Sequence, residues 1–194
     1  MKRYDWIIIF VIVAIIASTI FAIRVFNLRQ DYKDKGKETY NGFDFYFIDN
    51  LWVTRVTRDN TEYTIPVRYA PSQVVNVSVD GKLSQFQLME GYMAFDPNDD
   101  NYSYIALGFT ELGNNLNKVF NAKWRPACMA EHEHCEGIPI VTCDSTNESV
   151  IIIRSSEESK ITYVDDHCVI LEGNELGILR SFDKFLFMLY GIIK

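Results

Sequence analysis

Basic side chains are scarce once the first 39 positions are set aside. Residues 40–194 hold 12 Lys+Arg against 22 Asp+Glu, a net of −10, in a chain of 194 residues whose formal charge is −7. So acidic a body is a poor partner for DNA or RNA, whose binding draws on basic groups meeting phosphates. Histidines number three and cysteines four, which confines metal and thiol chemistry to a few places. The chain has no C-x-x-C pair, phosphate-binding glycine loop, G-x-S-x-G elbow or H-E-x-x-H pair. The sequence-readable forms of thiol redox, nucleotide, serine-hydrolase and metalloprotease chemistry are therefore missing. Disorder is excluded as well, because Phe, Tyr, Val, Ile and Leu recur throughout the acidic part. The length fits one medium domain with an appendage.

Charge of either sign is missing from Trp6 to Ile23 (WIIIFVIVAIIASTIFAI). As a helix this stretch would rise about 27 Å, close to the thickness of a thin bilayer. Ser18 and Thr19 can bond to the preceding turn, and Arg24 can reach toward an interface, so residues 1–26 are expected to anchor the chain in a lipid bilayer through residues 6–23. A cleaved signal peptide is the rival reading, given Lys2 and Arg3, but a small-x-small exit site is lacking before Arg24. A buried core helix is the other. Orientation is contested. The basic residues Arg24, Arg29, Lys33, Lys35 and Lys37 favour the cytoplasm for the body of the chain. The even cysteine count and the N-x-S/T triplets at Asn76, Asn101 and Asn147 favour the other side. The expectation is a single-pass cell-membrane protein with an extracytoplasmic body.

Residues 27–41 (NLRQDYKDKGKETYN) read as a polar stalk, and 42–194 as the folded domain. Strands are expected at 43–47, 51–57 and 61–68, the last on an edge or carrying a bulge because Pro66 cannot donate to a ladder. A hairpin is expected with Val75, Val77 and Val79 on one arm, Asp80-Gly81 at the turn and 82–88 on the other. Tyr92 to Phe95 is a further strand. Tyr102, Ile105, Phe109, Leu112, Leu116 and Val119 show helical spacing, with Asp99 or Asp100 as cap. Gly108 and Gly113 weaken that helix by nearly ~1 kcal/mol each. Residues 122–149 read as one long irregular connection. A strand over 150–153, a hairpin over 160–171 and a helix over 175–191 complete the chain. Arg180, Asp183 and Lys184 are placed on the last helix's solvent side; its apolar face covers a sheet or lies on a bilayer. The fold class is α/β or α+β, in two or three layers, with a mixed, largely antiparallel sheet and two main helices.

The cysteines stand as C-x6-C-x7-C-x24-C. Of the three possible connectivities, Cys128–Cys135 with Cys143–Cys168 is preferred, as structural staples. Zinc is the alternative: Cys128, His132, His134 and Cys135 supply suitable ligand types, with Cys143 or His167 available. The spacing lacks the close cysteine pair of a zinc knuckle. His167 and Cys168 would face opposite ways in a strand, which disfavours proton transfer between them. A calcium loop begun at Asp96 would need Gly and Glu where Asn101 and Leu107 stand. Trp52, Trp124 and the tyrosines offer a binding surface.

Residues 139–146, 150–152, 166–173 and 180–192, including Pro139-Ile140-Val141-Thr142-Cys143-Asp144 and Asp166-His167-Cys168-Val169-Ile170-Leu171-Glu172-Gly173, resemble a pattern in uncharacterised single-span membrane-anchored proteins of archaea. The resemblance covers the C-terminal third and implies a small α/β domain beside a membrane, with Cys143 paired to Cys168. It carries no activity, cofactor or catalytic residue. The expected role is a non-enzymatic binding or assembly component of a membrane or cell-envelope complex, with a protein partner. The alternative is a zinc-dependent module or enzyme using residues 128–143.

Overall fold

Three tight turns build the first sheet. Asn41-Gly42, Asp49-Asn50 and Asp59-Asn60 each hold both residues at positive φ, at 47° and 84°, 50° and 65°, and 49° and 62°. This is the mirror-image two-residue turn, whose twist matches that of the strands it joins and which Asn, Asp and Gly adopt most readily. The turns connect β1 (Lys37–Tyr40), β2 (Phe43–Ile48), β3 (Leu51–Arg58) and β4 (Thr61–Val67) into a four-stranded sheet in chain order. β2–β3 and β3–β4 are antiparallel. Pro66 lies on the edge strand, as its missing N–H requires.

The structure is a computed structural model and describes residues 16, 18–20, 36–83 and 86–194. Most of the expected anchor and of the stalk thus lies outside the described residues; Ile16, Ser18, Thr19 and Ile20 are helical and exposed. Among the described residues no helix is long and apolar enough to cross a membrane. The expectation of a single-pass transmembrane protein at the cell membrane is corrected accordingly. Both long helices have other work. One carries Glu111 and Lys118, and the other, at 15 residues, would rise about 22 Å and falls short of a bilayer. The folded unit also starts earlier than residue 42, because β1 already belongs to the first sheet.

After β4 come α1 (Pro71–Val74), β5 (Ser78–Asp80), β6 (Glu90–Phe95), α2 (Tyr102–Phe120) and β7 (Lys123–Cys128). A 3-10 turn at Glu133–Cys135 leads on to β8 (Ser149–Ser155), β9 (Lys160–Tyr163), β10 (Cys168–Gly173) and α3 (Glu175–Leu189). The second sheet runs β5-β9-β10-β8-β6-β7. Only β9–β10 is antiparallel; the other four pairings are parallel. The chain is therefore an α+β domain with one antiparallel and one mixed sheet and two long helices. The parallel pair β6–β7 requires a crossover, which α2 supplies.

β8 shows why the core has two sides. Val150 and Ile152 face the connection 129–148 with Ala94, Ala127, Val141 and Cys168. Ile151 and Ile153 face the helices. All four are at most 3% exposed, which explains a continuous apolar run in place of alternation. On the helix side α3 sits at the centre. Its Gly177–Phe187 stretch is buried except for Arg180, and Phe187 meets Phe45 of β2 edge-on at 5.5 Å. The first sheet thus closes over the helices that the second sheet carries.

That enclosure corrects one expectation. Asp183 and Lys184 are 5% and 8% exposed, not solvent-facing. Asp183 Oδ2 accepts the backbone N–H groups of Arg68 and Tyr69 at 2.9 and 2.8 Å. The expected hairpin about Asp80-Gly81 is also replaced. Pro71 starts a short helix instead, β5 pairs in parallel with β9, and Gln87 N–H donates to the Asp166 carbonyl. The N-cap of α2 is Asn101, with no side-chain cap, and not the expected Asp99 or Asp100; the Asp99 carboxylate instead accepts the Asn101 N–H at 2.8 Å and both the N–H and hydroxyl of Ser155, at 2.8 and 2.5 Å. It ties the β6–α2 loop to the end of β8.

Candidate functional site

Cys128 closes β7 and Cys168 opens β10, both fully buried. Cys128 is joined to Cys135 and Cys143 to Cys168, and free cysteines are absent among the described residues. The connection is further stitched by Cys128 N–H donating to Pro139 O and Val141 N–H donating to Cys128 O, at 2.9 and 2.8 Å. A sulfur in a disulfide offers no thiolate. Of the four zinc candidates only His132 and His134 therefore keep ligand capacity in this state. Their rings lie 4.8 Å apart, and His132 Nδ1 already accepts the His134 N–H at 3.1 Å. The two rings line a cleft of about 620 Å³ with Asn98, Asp99 and Tyr102. Two carboxylates of the Asp96–Asp100 loop are occupied: Asp96 accepts from Asn98, Asp99 from Asn101 and Ser155.

His167 stands apart, in the β9–β10 turn. Its Nδ1 lies 3.0 Å from Asp165 and 3.3 Å from Asp166, and its Nε2 3.2 Å from the Cys143 carbonyl. The Asp166 hydrogen bond, then the Cys143 carbonyl and the two carboxylate charges, hold its pKa above the ordinary histidine value against a desolvation that lowers it. In the charged form both nitrogens donate, one to the turn and one to the backbone of the second disulfide. Asp165 meanwhile accepts the N–H groups of His167 and Cys168 at 2.9 and 2.8 Å. The three side chains bring their ligand atoms within 4.8 Å. A cation among them would have to displace the Nδ1 proton that faces the two aspartates, leaving the Nε2–H to the Cys143 carbonyl.

Another concavity lies on the first sheet. The β2–β3 ladder pairs Tyr46 with Val53, Phe47 with Trp52 and Ile48 with Leu51. Beyond it the strands are bridged by a side chain, Thr54 Oγ1 donating to the Asp44 carbonyl at 2.9 Å. A groove of about 860 Å³ runs along this part of the sheet; Phe43, Asp44, Tyr46, Val53, Arg55 and Tyr190 are among its walls. Strand periodicity puts Tyr46, Ile48 and Val53 on the outward face, where polar side chains are the rule. Tyr46 and Ile48 are 45% and 51% exposed. The polar lining is Thr54, Thr57 and Thr64, with single charges of opposite sign at Asp44 and Arg55. Asp44 accepts from the Thr39 hydroxyl at 2.6 Å, and Arg55 reaches Glu62 at 3.5 Å, both ends well exposed.

Of the two tryptophans singled out by sequence, Trp52 takes the opposite strand phase from the groove, packed against the core with its ring 5.4 Å from that of Phe47. Trp124 is committed to the interior: its indole N–H donates to Leu88 O at 3.1 Å and its ring stacks on Phe86. The groove escapes a reading of the sequence, because taking 43–47 by its buried phase hides Tyr46 and Ile48 in the other. An apolar residue in the solvent phase of a strand is the signal that could have found it. Comparison of the chain with protein-family models, with curated proteins and with solved structures gave no match in any of the three.

Proposed function

We propose that this domain is a non-enzymatic binding module that takes an extended polypeptide segment along the groove beside β2 and β3. The observation that carries the reading is the outward aromatic and aliphatic surface of Tyr46, Ile48 and Val53 bordering a groove of about 860 Å³. Extended peptides are recognised in part by alternate side chains entering apolar recesses; β2 and β3 are interior strands, so here the contacts come from side chains of the sheet face. Hydroxyls at Thr57 and Thr64 suit backbone partners, and the single charges of Asp44 and Arg55 can orient a segment. Tyrosine is enriched where a few residues carry most of a binding energy.

The test is selection of linear peptides on the full chain from a displayed random library, with affinities then measured on purified peptides. Selected peptides are expected to lose at least about tenfold in affinity on Tyr46→Ala or Val53→Glu. An outward substitution remote from the groove, Glu90→Ala on β6, should leave affinity unchanged. Peptides that bind all variants equally, or a library that yields none, would overturn the reading.

A further inference from the structure

Lys184 is the most buried ammonium-bearing side chain described, at 8% exposure. It donates to two backbone carbonyls, Val77 O at 2.5 Å and Val75 O at 3.1 Å. An ammonium has three N–H groups, and the third has no partner among the described residues. Nor does any carboxylate there form an ion pair with it. A buried cation without a counter-charge is costly, and its desolvation holds the lysine pKa below its ordinary value. Such a group is ordinarily paired.

Lys184 forms part of the wall of a pocket of about 720 Å³ between the end of β5 and the last turn of α3. Val79, Leu83, Met188 and Ile193 supply the apolar lining, and Lys82 and Lys194 two further ammonium groups. The volume lies within the range of small-molecule sites, which combine an apolar lining with a few placed polar groups. Three ammonium groups around one pocket stand out against a chain of formal charge −7. Of the carboxylates close in sequence to the lining residues, Asp80 is turned to Lys160 at 3.6 Å and Asp183 to the backbone N–H groups of Arg68 and Tyr69.

We infer that this pocket binds a small amphiphile with an anionic head and an aliphatic chain, the head pairing with the free N–H of Lys184 and the chain lying against Val79, Leu83, Met188 and Ile193. The site is separate from the peptide groove and does not depend on it. Occupation supplies the counter-charge that the fold omits, through a charge-assisted hydrogen bond.

Decanoate, below its micelle concentration, is the probe, with 1-decanol as its neutral counterpart, both titrated into the full chain by calorimetry and by NMR of methyl-labelled methionine. Saturable one-to-one binding of decanoate is expected, with the Met188 methyl signal moving and that of Met129 still. Decanol should bind at least about tenfold more weakly, and Lys184→Met should weaken decanoate by a similar factor. Equal affinity for the acid and the alcohol, a stationary Met188 signal or lack of saturation would each overturn the inference. These wild-type readouts decide the matter even where Lys184→Met fails to fold.

Discussion

Asp183 carries an ionisable group into the middle of the protein. Burial pushes its pKa up to about 8, against the backbone N–H groups of Tyr69 and Arg68, which pull it down. Through those two N–H bonds it fastens the end of β4 to α3, while the Arg68 guanidinium grips Glu111 of α2 at 2.9 and 2.6 Å. In the unfolded chain an aspartate titrates near about 4. Between there and about 8 the folded protein keeps a proton that the unfolded chain has released, so this group's stabilisation is complete below the unfolded value. It is lost as the pH rises toward the folded value and is constant above it. Asp183→Asn keeps an oxygen acceptor for the N–H pair and removes the ionisation. Urea unfolding at pH about 5 and about 8.5 should show the variant gaining on the wild type at the higher pH, by an amount on the order of several kcal/mol. A difference between the two proteins that does not change with pH would place the ionisation elsewhere. Neither Asp183 nor Lys184 is readable from spacing. A charge on a helix is assigned to solvent by default, and only the closing of the first sheet over α3 denies it that place.

At the scale of elements, α2 contains two glycines that helix propensity treats alike and packing does not. A Cβ on Gly108 would fall inside the ring of Phe182, where α2 crosses α3. A Cβ on Gly113 would meet only the flexible end of Met93, at 3.2 Å. Alanine gains ~1 kcal/mol over glycine in a helix interior, while overpacking costs about 1–3 kcal/mol. Gly113→Ala should therefore stabilise the protein by up to ~1 kcal/mol, and Gly108→Ala should destabilise it by about 1–2 kcal/mol, both measured by urea unfolding. Shifts of the same sign would refute the distinction. The elements that sequence renders well are those whose periodicity answers to one buried face: β2, β3, β4 and α2; α3 is found by its apolar repeat, but Gly177–Phe187 is buried on every side except at Arg180. Two strands escape for physical reasons. In β1 the run Lys37–Tyr40 has no apolar alternation, although Asn41-Gly42 after it is a strong hairpin signal. In β7, Pro126 interrupts the pattern, tolerable because β7 is an edge strand. The partner of β5 is not the one its Asp80-Gly81 turn suggests, since parallel pairing with β9 is a long-range event that no local turn announces.

The whole molecule depends on a connection that carries little regular structure. Residues 129–148 cross from β7, at one edge of the second sheet, to β8, covering the sheet face opposite the helices. That face has a smaller apolar cluster than the helix side, so fastening matters more there. The two disulfides do this at different ranges. Cys128–Cys135 closes a loop with a sequence separation of 7 next to β7. Cys143–Cys168 spans a separation of 25 and attaches the middle of the connection to β10, near the centre of the sheet. Loop-closure entropy gives about 2.5 kcal/mol for the first and about 3.5 kcal/mol for the second. The His167 ring also bonds the Cys143 carbonyl, a backbone group that alanine at 143 retains. Replacing Cys128 and Cys135 by alanine should therefore cost less in urea unfolding than replacing Cys143 and Cys168, by about 1 kcal/mol from chain entropy. Equal costs would mean that the connection holds its place on the sheet by packing, and that neither staple governs the far side of the molecule.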